Sequence, residues 1–410
     1  MSDNEKSRVL INSITKLAGI TYNLNLQVSN LKKIFCNNPD YLTEIEKLEN
    51  IVNNINSETD ILFINRPRKL IKTESKRQID VEITNMSPES SSPIPDEELL
   101  PCIPSIDYKS VNFNSLSYEN NVLVSLVYMI FDSTINLQKI KIDKLSLKKL
   151  IAKISKYYHL NPFHNFKHAV MVFQFLYLLI NEVESSGVVI DDLNKFGLLM
   201  ASLVHDIDHP GNTNSFEINS NSVLARKYNN SSVLENHHCS TAFYLFQMPG
   251  IELFKHLEIN EYNVIRECII ECIISTDMAN HNEIINVLKS KEELLNWSIP
   301  SNMMLLCKFL IHTADLSNQT RPFEIAKEWS QCLIREFKNQ VSTETKLKLE
   351  SMEFMKINDE KNFCKSEYNF SQYVVLPLFS VLVDLFPNCD YLKNSLTENI
   401  KIWNELVSVA

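Results

Sequence analysis

Glycine is scarce in this chain, which has only 5 glycines beside 14 prolines in 410 residues. Average usage would put glycine at about 7% of residues, so the chain holds about a fifth of the usual share. Glycine supplies the positive-φ positions of tight hairpins and of phosphate-binding loops. Neither a G-x-G-x-x-G nor a G-x-x-x-x-G-K pattern occurs. The scarcity argues against a β-sandwich, a Rossmann fold or a P-loop enzyme, and it favours an all-helical protein.

The chain also lacks a positive charge balance and an apolar leader. It carries 50 acidic and 40 basic residues, a formal net charge of −10, which argues against a general DNA- or RNA-binding protein. The opening residues MSDNEKSR are polar and no apolar segment follows them, so no signal peptide is predicted. Apolar stretches such as 122–131 look too short to span a bilayer. We expect a cytoplasmic protein that neither binds nucleic acid nor inserts into a membrane.

The sequence also lacks the cysteine pattern of a disulfide framework. The 9 cysteines are odd in number and scattered along the chain. The one C-x-x-x-C pair, Cys268 and Cys272, lies in an apolar helical stretch and lacks the spacing of a zinc ribbon. We therefore predict reduced thiols inside the core and no disulfide framework.

Residues 1–83 have the pattern of a helical extension. Apolar residues recur at alternating intervals of four and three from Leu10 to Phe35, and Thr21 is the one polar member of this seam. The break at 37–40 is followed by a second amphipathic stretch. Two interpretations stay open, namely a helical hairpin that packs on itself or on the main domain, and a coiled coil that forms a homodimer.

A linker separates this extension from the main domain. Residues 84–106 contain five prolines, several serines and no helical period. From 107 to 410 apolar residues recur at helical spacing almost throughout, with no internal repeat and no alternation typical of strands. About 300 residues are ample for one large helical core.

Six of the ten histidines lie between His164 and His238. The first two, His164 and His168, are four residues apart in the sequence NPFHNFKH. A proline in the first helical turn would start a helix there, so both imidazoles would project from one face. Taken alone this spacing is weak, because such pairs are more often structural.

The segment HDIDHPGN is more informative. It places two histidines and two carboxylates within five residues after an apolar helix. Buried groups of this kind need partners, and four together favour a bound cation. The sequence Pro210-Gly211 would end the helix, which lets the neighbours His205 and Asp206 reach one ion. We interpret this segment as part of a metal site.

Three acidic residues further along the chain extend the pattern. Glu235 precedes His237 and His238 in the sequence ENHH. Asp315 follows a long apolar run, where an acid without a cation would need several hydrogen bonds, so it is a natural further ligand. Asp277, in STDMANH, is similar but weak by itself.

Together these motifs resemble a known family. HNFKH, LVHDIDHPGN, YNNSSVLENHH, STDMANH and HTADLSNQTRPF occur in family order within 107–410. This region resembles the catalytic domain of class I cyclic nucleotide phosphodiesterases, most closely the cGMP-hydrolysing branch without large N-terminal sensor domains. The resemblance implies a compact all-α fold of about sixteen helices, of the HD-type metal-dependent phosphohydrolase kind.

The resemblance also implies roles for individual residues. A zinc ion would be held by His168, His205, Asp206 and Asp315. Asp206 would bridge to a second cation, magnesium or manganese, and such a pair activates water and clamps phosphoryl oxygens. His164 would protonate the leaving 3′-oxygen. His209, Glu235 and Asp277 would orient waters at the metals and the acid.

The predicted base pocket departs from the family pattern. Glu367 stands where the family has a glutamine, and Gln319 stands where the cGMP-hydrolysing branch tends to have an acid, as if the two had exchanged places. Acids are also missing at Met171 and Asn230, and the lid segment 340–350 has lost its proline and glycine. The predicted base-binding residues are Phe163, Asn318, Gln319, Glu367 and Phe370.

These substitutions lead to a hypothesis about the substrate. An ionised Glu367 would accept hydrogen bonds from N1–H and the 2-amino group of guanine, while Gln319 donates to O6, so cGMP would be preferred over cAMP. The alternative is that Glu367 turns to solvent and stacking on Phe370 holds the base. The predicted activity is hydrolysis of 3′,5′-cyclic nucleotides to 5′-monophosphates. A catalytically weak or inactive cyclic nucleotide-binding relative, and a phosphohydrolase for other nucleotides, remain alternatives.

Overall fold

The computed structural model describes residues 106–291 and 295–409. This part of the chain is all-α, as predicted, and contains no strand. Its helices are α1 (Asn120–Thr134), α2 (Lys144–Tyr157), α3 (Phe166–Ser185), α4 (Asp192–Val204), α5 (Asn214–Asn219), α6 (Val223–Lys227), α7 (Val233–Phe246), α8 (Ile259–Ser275), α9 (His281–Lys291), α10 (Pro300–Asp315), α11 (Phe323–Leu347), α12 (Glu360–Phe370), α13 (Leu376–Leu385) and α14 (Asp390–Val409). The predicted extension over 1–83 and all but the last residue of the predicted linker lie outside the described residues.

Helix α3 lies at the centre of the core. It packs against α1, α4 and α10, and its side chains are buried on nearly every side. By length and composition alone this helix is long and apolar enough to cross a membrane. However, 72% of the stretch is buried inside the fold. The same burial fixes the position of His168 in its first turn.

Helix α4 crosses α8 at close range because of a glycine. A Cβ atom added to Gly197 would lie 2.9 Å from the Cβ of Cys268. The close approach anchors α4, and this helix ends one residue before the predicted metal ligand His205. The cysteine beside Gly197 is free and buried, as are the other cysteines in the described residues, which confirms reduced thiols there.

Most of the lid segment is helical. Helix α11 continues through most of 340–350 and stops at Leu347. Lys348 then adopts a left-handed φ of 57°, a conformation that glycine adopts more easily. Further on, Ser371–Val375 forms a π-helical turn between α12 and α13. Pro377 has no N–H to donate back into this turn, which accounts for the wider winding.

Candidate active site

Four predicted metal ligands converge at one point. The Nε2 atom of His168 lies 3.4 Å from Asp206 Oδ2 and 3.2 Å from Asp315 Oδ1. The Nε2 atom of His205 lies 3.1 Å and 3.3 Å from the same two oxygens. Ligand atoms about 2.0–2.1 Å from a tetrahedral zinc ion lie about 3.3 Å from one another. The spacing of these atoms therefore fits a single metal ion.

The hydrogen bonding of these histidines fits a metal as well. His205 donates from Nδ1 to the carbonyl of Ser202 at 2.8 Å, which leaves a lone pair on Nε2. The Nε2 atoms of His168 and His205 are buried and make no aligned hydrogen bond, although both lie beside carboxylates. Buried polar atoms without partners are rare. A cation between the imidazoles and the carboxylates would satisfy all four groups.

Helix ends bring these side chains together. Asn165 caps α3 by accepting the backbone N–H groups of Lys167 and His168, and it thereby sets the start of the helix at the first ligand. His205 follows the last residue of α4, and Asp315 is the last residue of α10. Since α3, α4 and α10 pack against one another, their ends meet in one place.

The chain turns sharply after Asp206. Gly211 has a φ of 79°, and a Cβ atom there would lie 3.0 Å from Asn161 Oδ1. The amide of Asn161 donates to the carbonyl of His164 at 2.9 Å and to that of His209 at 2.7 Å. Asn161 thus connects the segment with the predicted acid to the turn beside the metal ligands.

The predicted acid His164 is held by a residue that the sequence motifs do not contain. Its Nδ1 hydrogen-bonds to Oε1 of Glu336, a side chain of α11. The other oxygen of Glu336 accepts the backbone N–H groups of Phe163 and His164, each at 3.0 Å. Glu336 is only 4% exposed. A glutamate on the apolar face of α11 is the one sequence signal that could have revealed it.

The carboxylates of Glu336 and Asp206 keep His164 protonated. Burial alone would lower the pKa of its imidazole, but Glu336 and Asp206 raise this pKa to about 9. With Nδ1 directed to Glu336, the proton on Nε2 is the one available to a substrate. The group can therefore act as an acid near neutral pH.

His209 and His238 stand beside Asp206. His209 accepts the N–H of Gly211 at Nδ1, so its proton is on Nε2, and its ring stacks on His164 with 4.1 Å between centroids. His238 donates from Nδ1 to the carbonyl of Ile207 at 2.6 Å, and burial lowers its pKa to about 4. Its free Nε2 lone pair lies 3.7 Å from Asp206 Oδ1. Two facing acceptors favour a water or a second cation between them.

Glu235 and Asp277 line the same cavity further from the ligands. Asn214 donates to both oxygens of Glu235, at 3.1 and 2.9 Å. Burial, and then the charge of Asp277, raise the pKa of Glu235 to about 7. Asp277 accepts the hydroxyl of Ser232 at 2.8 Å and caps a short helical turn through the N–H of Ala279. Both carboxylates line the cavity.

A cavity of about 1760 Å³ opens from the metal ligands towards α12. Of the predicted base-binding residues, Phe163, Asn318, Gln319 and Phe370 line it. Phe163 also packs on the ring of His168, with 4.6 Å between centroids. Among the described residues, Glu367 is not part of the lining; it lies behind Gln319 and is 4% exposed.

A hydrogen-bond network joins Glu367 to Gln319. Nε2 of Gln319 donates to Glu367 Oε2 at 2.8 Å, and the hydroxyl of Ser330 donates to the same oxygen at 2.6 Å. The hydroxyl of Ser371 donates to Oε1 of Gln319 at 3.1 Å. The sequence places Glu367 and Gln319 in the pocket but gives no signal for either serine.

Comparison with known sequences identifies the family. The pattern described as 3′5′-cyclic nucleotide phosphodiesterase matches residues 163–396, more than half of the chain. The chain belongs to this family. The matched region includes all the predicted ligands, the acid His164 and the base-binding residues, so the family pattern and the site coincide.

Individual phosphodiesterases agree with this result. The chain is 36% identical over 275 residues to a high affinity cGMP-specific 3′,5′-cyclic phosphodiesterase 9A of Drosophila melanogaster, which covers 67% of this chain and 18% of that protein. It is 33% identical over 301 residues to a 3′,5′-cyclic-AMP phosphodiesterase, isoform F, of the same species, covering 70% and 45%. The chain spans about half or less of the first curated relatives that it matches.

The fold also matches a crystal structure. The phosphodiesterase domain of a RhoPDE fusion protein from the choanoflagellate Salpingoeca rosetta superposes with a TM-score of 0.71 at 34% identity. The superposition covers 77% of this chain and 99% of that domain. Family membership and the phosphodiesterase fold are therefore established together.

Proposed function

We propose that this chain hydrolyses 3′,5′-cyclic nucleotides to nucleoside 5′-monophosphates. The observation that carries the proposal is the group of four ligand atoms with two unpartnered Nε2 atoms, next to an imidazole that two carboxylates keep protonated. Hydrolysis of a phosphodiester requires that its negative charge is screened and that its leaving oxygen is protonated. A cation held by the four ligands would screen the charge, and His164 would protonate the oxygen.

Two divalent cations are part of the proposal. His168, His205, Asp206 and Asp315 would hold the tighter one, and their mixed nitrogen and oxygen atoms suit zinc. The free oxygen of Asp206, facing His238, would contribute to a second site suited to magnesium or manganese. When bound, such cations activate water and screen the phosphoryl oxygens.

His164 would donate its Nε2 proton to the leaving 3′-oxygen. Glu336 orients the ring through Nδ1 and stabilises the imidazolium form. His209 stacks against the ring and limits its rotation. Water would be the nucleophile, so the proposed reaction is a single displacement and needs no covalent intermediate.

We also propose that cGMP is the preferred substrate. The name of the phosphodiesterase 9A relative supports this. A cAMP phosphodiesterase relative is 33% identical, so the preference is argued from the pocket and not from family membership. Asn318 offers the cavity a buried Oδ1 with no hydrogen-bond partner. Guanine presents two donors on its N1 edge, where adenine presents an acceptor. In this network Nε2 of Gln319 donates to the carboxylate of Glu367, which revises the expectation that Gln319 donates to O6.

The test is turnover of cGMP and cAMP by the purified chain with Mg²⁺ or Mn²⁺, with the products separated by chromatography. His164→Ala should remove most turnover and leave the metal content unchanged. His256→Ala, at an exposed histidine, is the matched control. Loss of metal from His164→Ala would contradict the assignment of the acid and the ligands. Nucleotide binding without turnover by the parent chain would point to a non-catalytic relative.

A further inference from the structure

We propose that residues 108–118, called the strap from here on, are a positioning element of the active site. The strap holds the chain next to two of the four predicted metal ligands, His168 and Asp315. Displacing it weakens metal binding and, as a consequence, turnover. Since these ligands belong to the proposed function, the role of the strap rests on that function, but the strap itself lies outside every motif of the site.

A buried arginine holds the middle of the strap. Nη1 of Arg321 donates to the carbonyls of Val111 and Phe113, at 3.3 and 2.9 Å. Nη2 donates to the carbonyl of Met171 at 3.1 Å and to Oε1 of Gln174 at 2.9 Å. Arg321 is 0% exposed, and among the described residues no carboxylate lies within ion-pair distance of it. Half of the oxygen atoms that stabilise this buried charge therefore come from the strap.

The same arginine ends the turn that follows a metal ligand. Asp315 leads into the short helical turn Leu316–Thr320, and Arg321 is the residue that caps this turn. The amide of Asn399, in α14, donates to the carbonyls of Gln319 and Arg321, each at 2.8 Å. The backbone of Arg321 is thus fixed to the turn, while its guanidinium is fixed to the strap.

Gln174 connects the arginine to the strap a second time. Its Oε1 accepts from Arg321, while its Nε2 donates to the carbonyl of Tyr108 at 2.7 Å and lies 3.2 Å from that of Ser110. The side chain is fully buried in α3. An amide suits this position because one end has to accept a hydrogen bond and the other end has to donate one.

The strap also contacts the first turn of α3, where the ligand His168 lies. The hydroxyl of Ser115 donates to the carbonyl of Lys167 at 2.7 Å, and Nζ of Lys167 donates to the carbonyl of Leu116 at 3.2 Å. Lys167 immediately precedes His168 in the chain. Because Ser115 is 0% exposed, solvent does not compete for its hydrogen bond.

A further contact reaches the wall of the cavity. Oδ1 of Asn114 accepts from Nε1 of Trp329 at 3.3 Å, and Nδ2 donates to Oε2 of Glu328 at 2.8 Å. The ring of Trp329 lines the cavity and packs against Phe163 and His168, with 5.6 and 6.0 Å between centroids. The strap is therefore bonded both to the backbone before His168 and to a side chain that packs on its ring.

These contacts make the position of the strap and metal binding interdependent. If the strap leaves, the guanidinium of Arg321 loses half of its acceptors, and a buried charge without partners is strongly unfavourable. The turn after Asp315 and the start of α3 then have to shift to solvate it. Residues that support metal ligands from behind typically change metal affinity 10- to 100-fold. By reciprocity, a bound metal ion has to hold the strap more firmly in turn.

The first experiment measures this reciprocity in the unaltered chain. Amide hydrogen exchange is followed by mass spectrometry with Zn²⁺ bound and after its removal by a chelator. The amides of Phe113, Ser117 and Tyr118 make local hydrogen bonds in the strap, and those of Lys255 and Leu257 make similar bonds before α8 as a control. We expect zinc to slow exchange about tenfold in the strap and to change the control little. Equal changes in both segments, or none in the strap, would overturn the proposal.

The second experiment separates the strap from the solvation of Arg321. Gln174→Glu keeps an acceptor for Arg321 but has no hydrogen to donate to the carbonyl of Tyr108. If the strap positions the ligands, zinc affinity measured by chelator competition should fall about tenfold. If Gln174 only stabilises the charge of Arg321, zinc affinity should be unchanged or higher, which would overturn the proposal. Lys195→Met is the control, because it removes a buried ion pair with Glu184, near the other end of α3, and should leave zinc affinity unchanged.

Turnover supplies a readout that a loss of stability alone would not change. In metal-depleted Gln174→Glu, the zinc concentration that restores half-maximal turnover should rise about tenfold, while kcat at saturating metal stays within about threefold of the parent value. An unchanged zinc requirement together with a low kcat would show that the substitution acts elsewhere, and it would contradict the role of the strap.

The third experiment tests the contact with α3 and also decides the question if Gln174→Glu fails to fold. Ser115→Ala removes one neutral hydrogen bond to Lys167, so zinc affinity should fall by about two- to threefold. Ser125→Ala is the matched control, since this buried hydroxyl bonds to the carbonyl of Asn121 within α1, at 3.2 Å. Equal zinc affinity in the two variants would argue against the strap.

Failure of the strap and failure of the proposed function remain distinct. A parent chain that binds zinc but hydrolyses neither nucleotide would defeat the proposed activity, and the exchange and affinity measurements would still test the strap. A parent chain with turnover whose strap does not respond to zinc would overturn the strap alone. A parent chain that binds no zinc would defeat both.

Discussion

Glu336 holds His164 through three hydrogen bonds, one to the imidazole Nδ1 and two to the backbone N–H groups of Phe163 and His164. The carboxylate therefore fixes the loop and the ring together. Because Glu336 lies on α11 and His164 just before α3, the pair also ties the lid-bearing helix to the metal-bearing helix. Both the orientation and the protonation of the His164 imidazole therefore depend on the side chain of Glu336.

We predict that Glu336→Gln slows turnover about 10- to 100-fold, the usual effect of removing a group that orients a catalytic side chain. The variant also loses the charge that raises the pKa of His164. An acid works only while protonated, so activity is lost as pH rises through its pKa. The fall in kcat on the alkaline side should therefore begin at lower pH in the variant. Glu324→Gln, at an exposed glutamate of the same helix, is the control; an unshifted alkaline limb would contradict the role of Glu336.

Metal removal should destabilise the chain. Without cations, the carboxylates of Asp206 and Asp315 share a small buried space with two imidazoles. Ligands that bind only the folded state raise its stability by mass action. We expect a chelator to lower the melting temperature by several degrees and Asp315→Asn to lose the tighter metal, as measured by elemental analysis. Asp384→Asn, outside the site, should retain it. Equal metal content in both variants would argue against Asp315 as a ligand.

Gly211→Ala should impair both stability and activity. A left-handed φ costs a non-glycine residue about 1–2 kcal/mol, and here the new methyl group would also press on Asn161. Gly250 provides a matched control, since its φ is 81° and nothing lies within 4 Å of an added Cβ atom. Denaturant unfolding should show a similar backbone cost in both variants and an additional loss only for Gly211→Ala. Turnover should fall in that variant alone, because Asn161 bonds to the backbone of His164 and His209.

Base discrimination should weaken at acidic pH. Burial raises the pKa of Glu367 above the usual 4.5, opposed by hydrogen bonds from the uncharged groups of Ser330 and Gln319. As pH falls through this raised pKa, the carboxyl group gains a proton and can donate to Oε1 of Gln319, so the amide is free to invert. The cGMP-to-cAMP ratio of kcat/KM should therefore decrease, while effects on the acid and the metals cancel in the ratio. A ratio that stays constant while both rates fall would show that Glu367 does not titrate in this range.

How much the sequence predicts depends on how local the information is. The helical fold follows from apolar periodicity that 107–410 displays almost throughout, and the structure confirms an all-α fold for the described residues. His205 and Asp206 are neighbours in the chain at a helix end, so their convergence can be anticipated from HDIDHPGN alone. Asp315 is predictable because an acid at the end of a buried helix needs a partner.

Other features depend on contacts between distant elements. Glu336 is 172 residues from His164 and sits in a helix without a motif, so only the packing of α11 shows their contact. The orientation of the Gln319 amide depends on Glu367 and Ser371, which come from a different helix and from the π-helical turn after it. The sequence predicts that Gln319 and Glu367 belong to one pocket. Only the packing shows that Gln319 lines the cavity while Glu367 is buried behind it.

The short turn after α10 connects a predicted metal ligand to a residue of the predicted base pocket, and this connection limits which substitutions the protein can accept. Asp315 and Gln319 are separated by four positions on one turn that Asn399 clamps from α14. A shift of this turn large enough to accommodate another base would also move a metal ligand. New base preferences should therefore arise by exchanging the residues behind Gln319, with the turn itself unchanged.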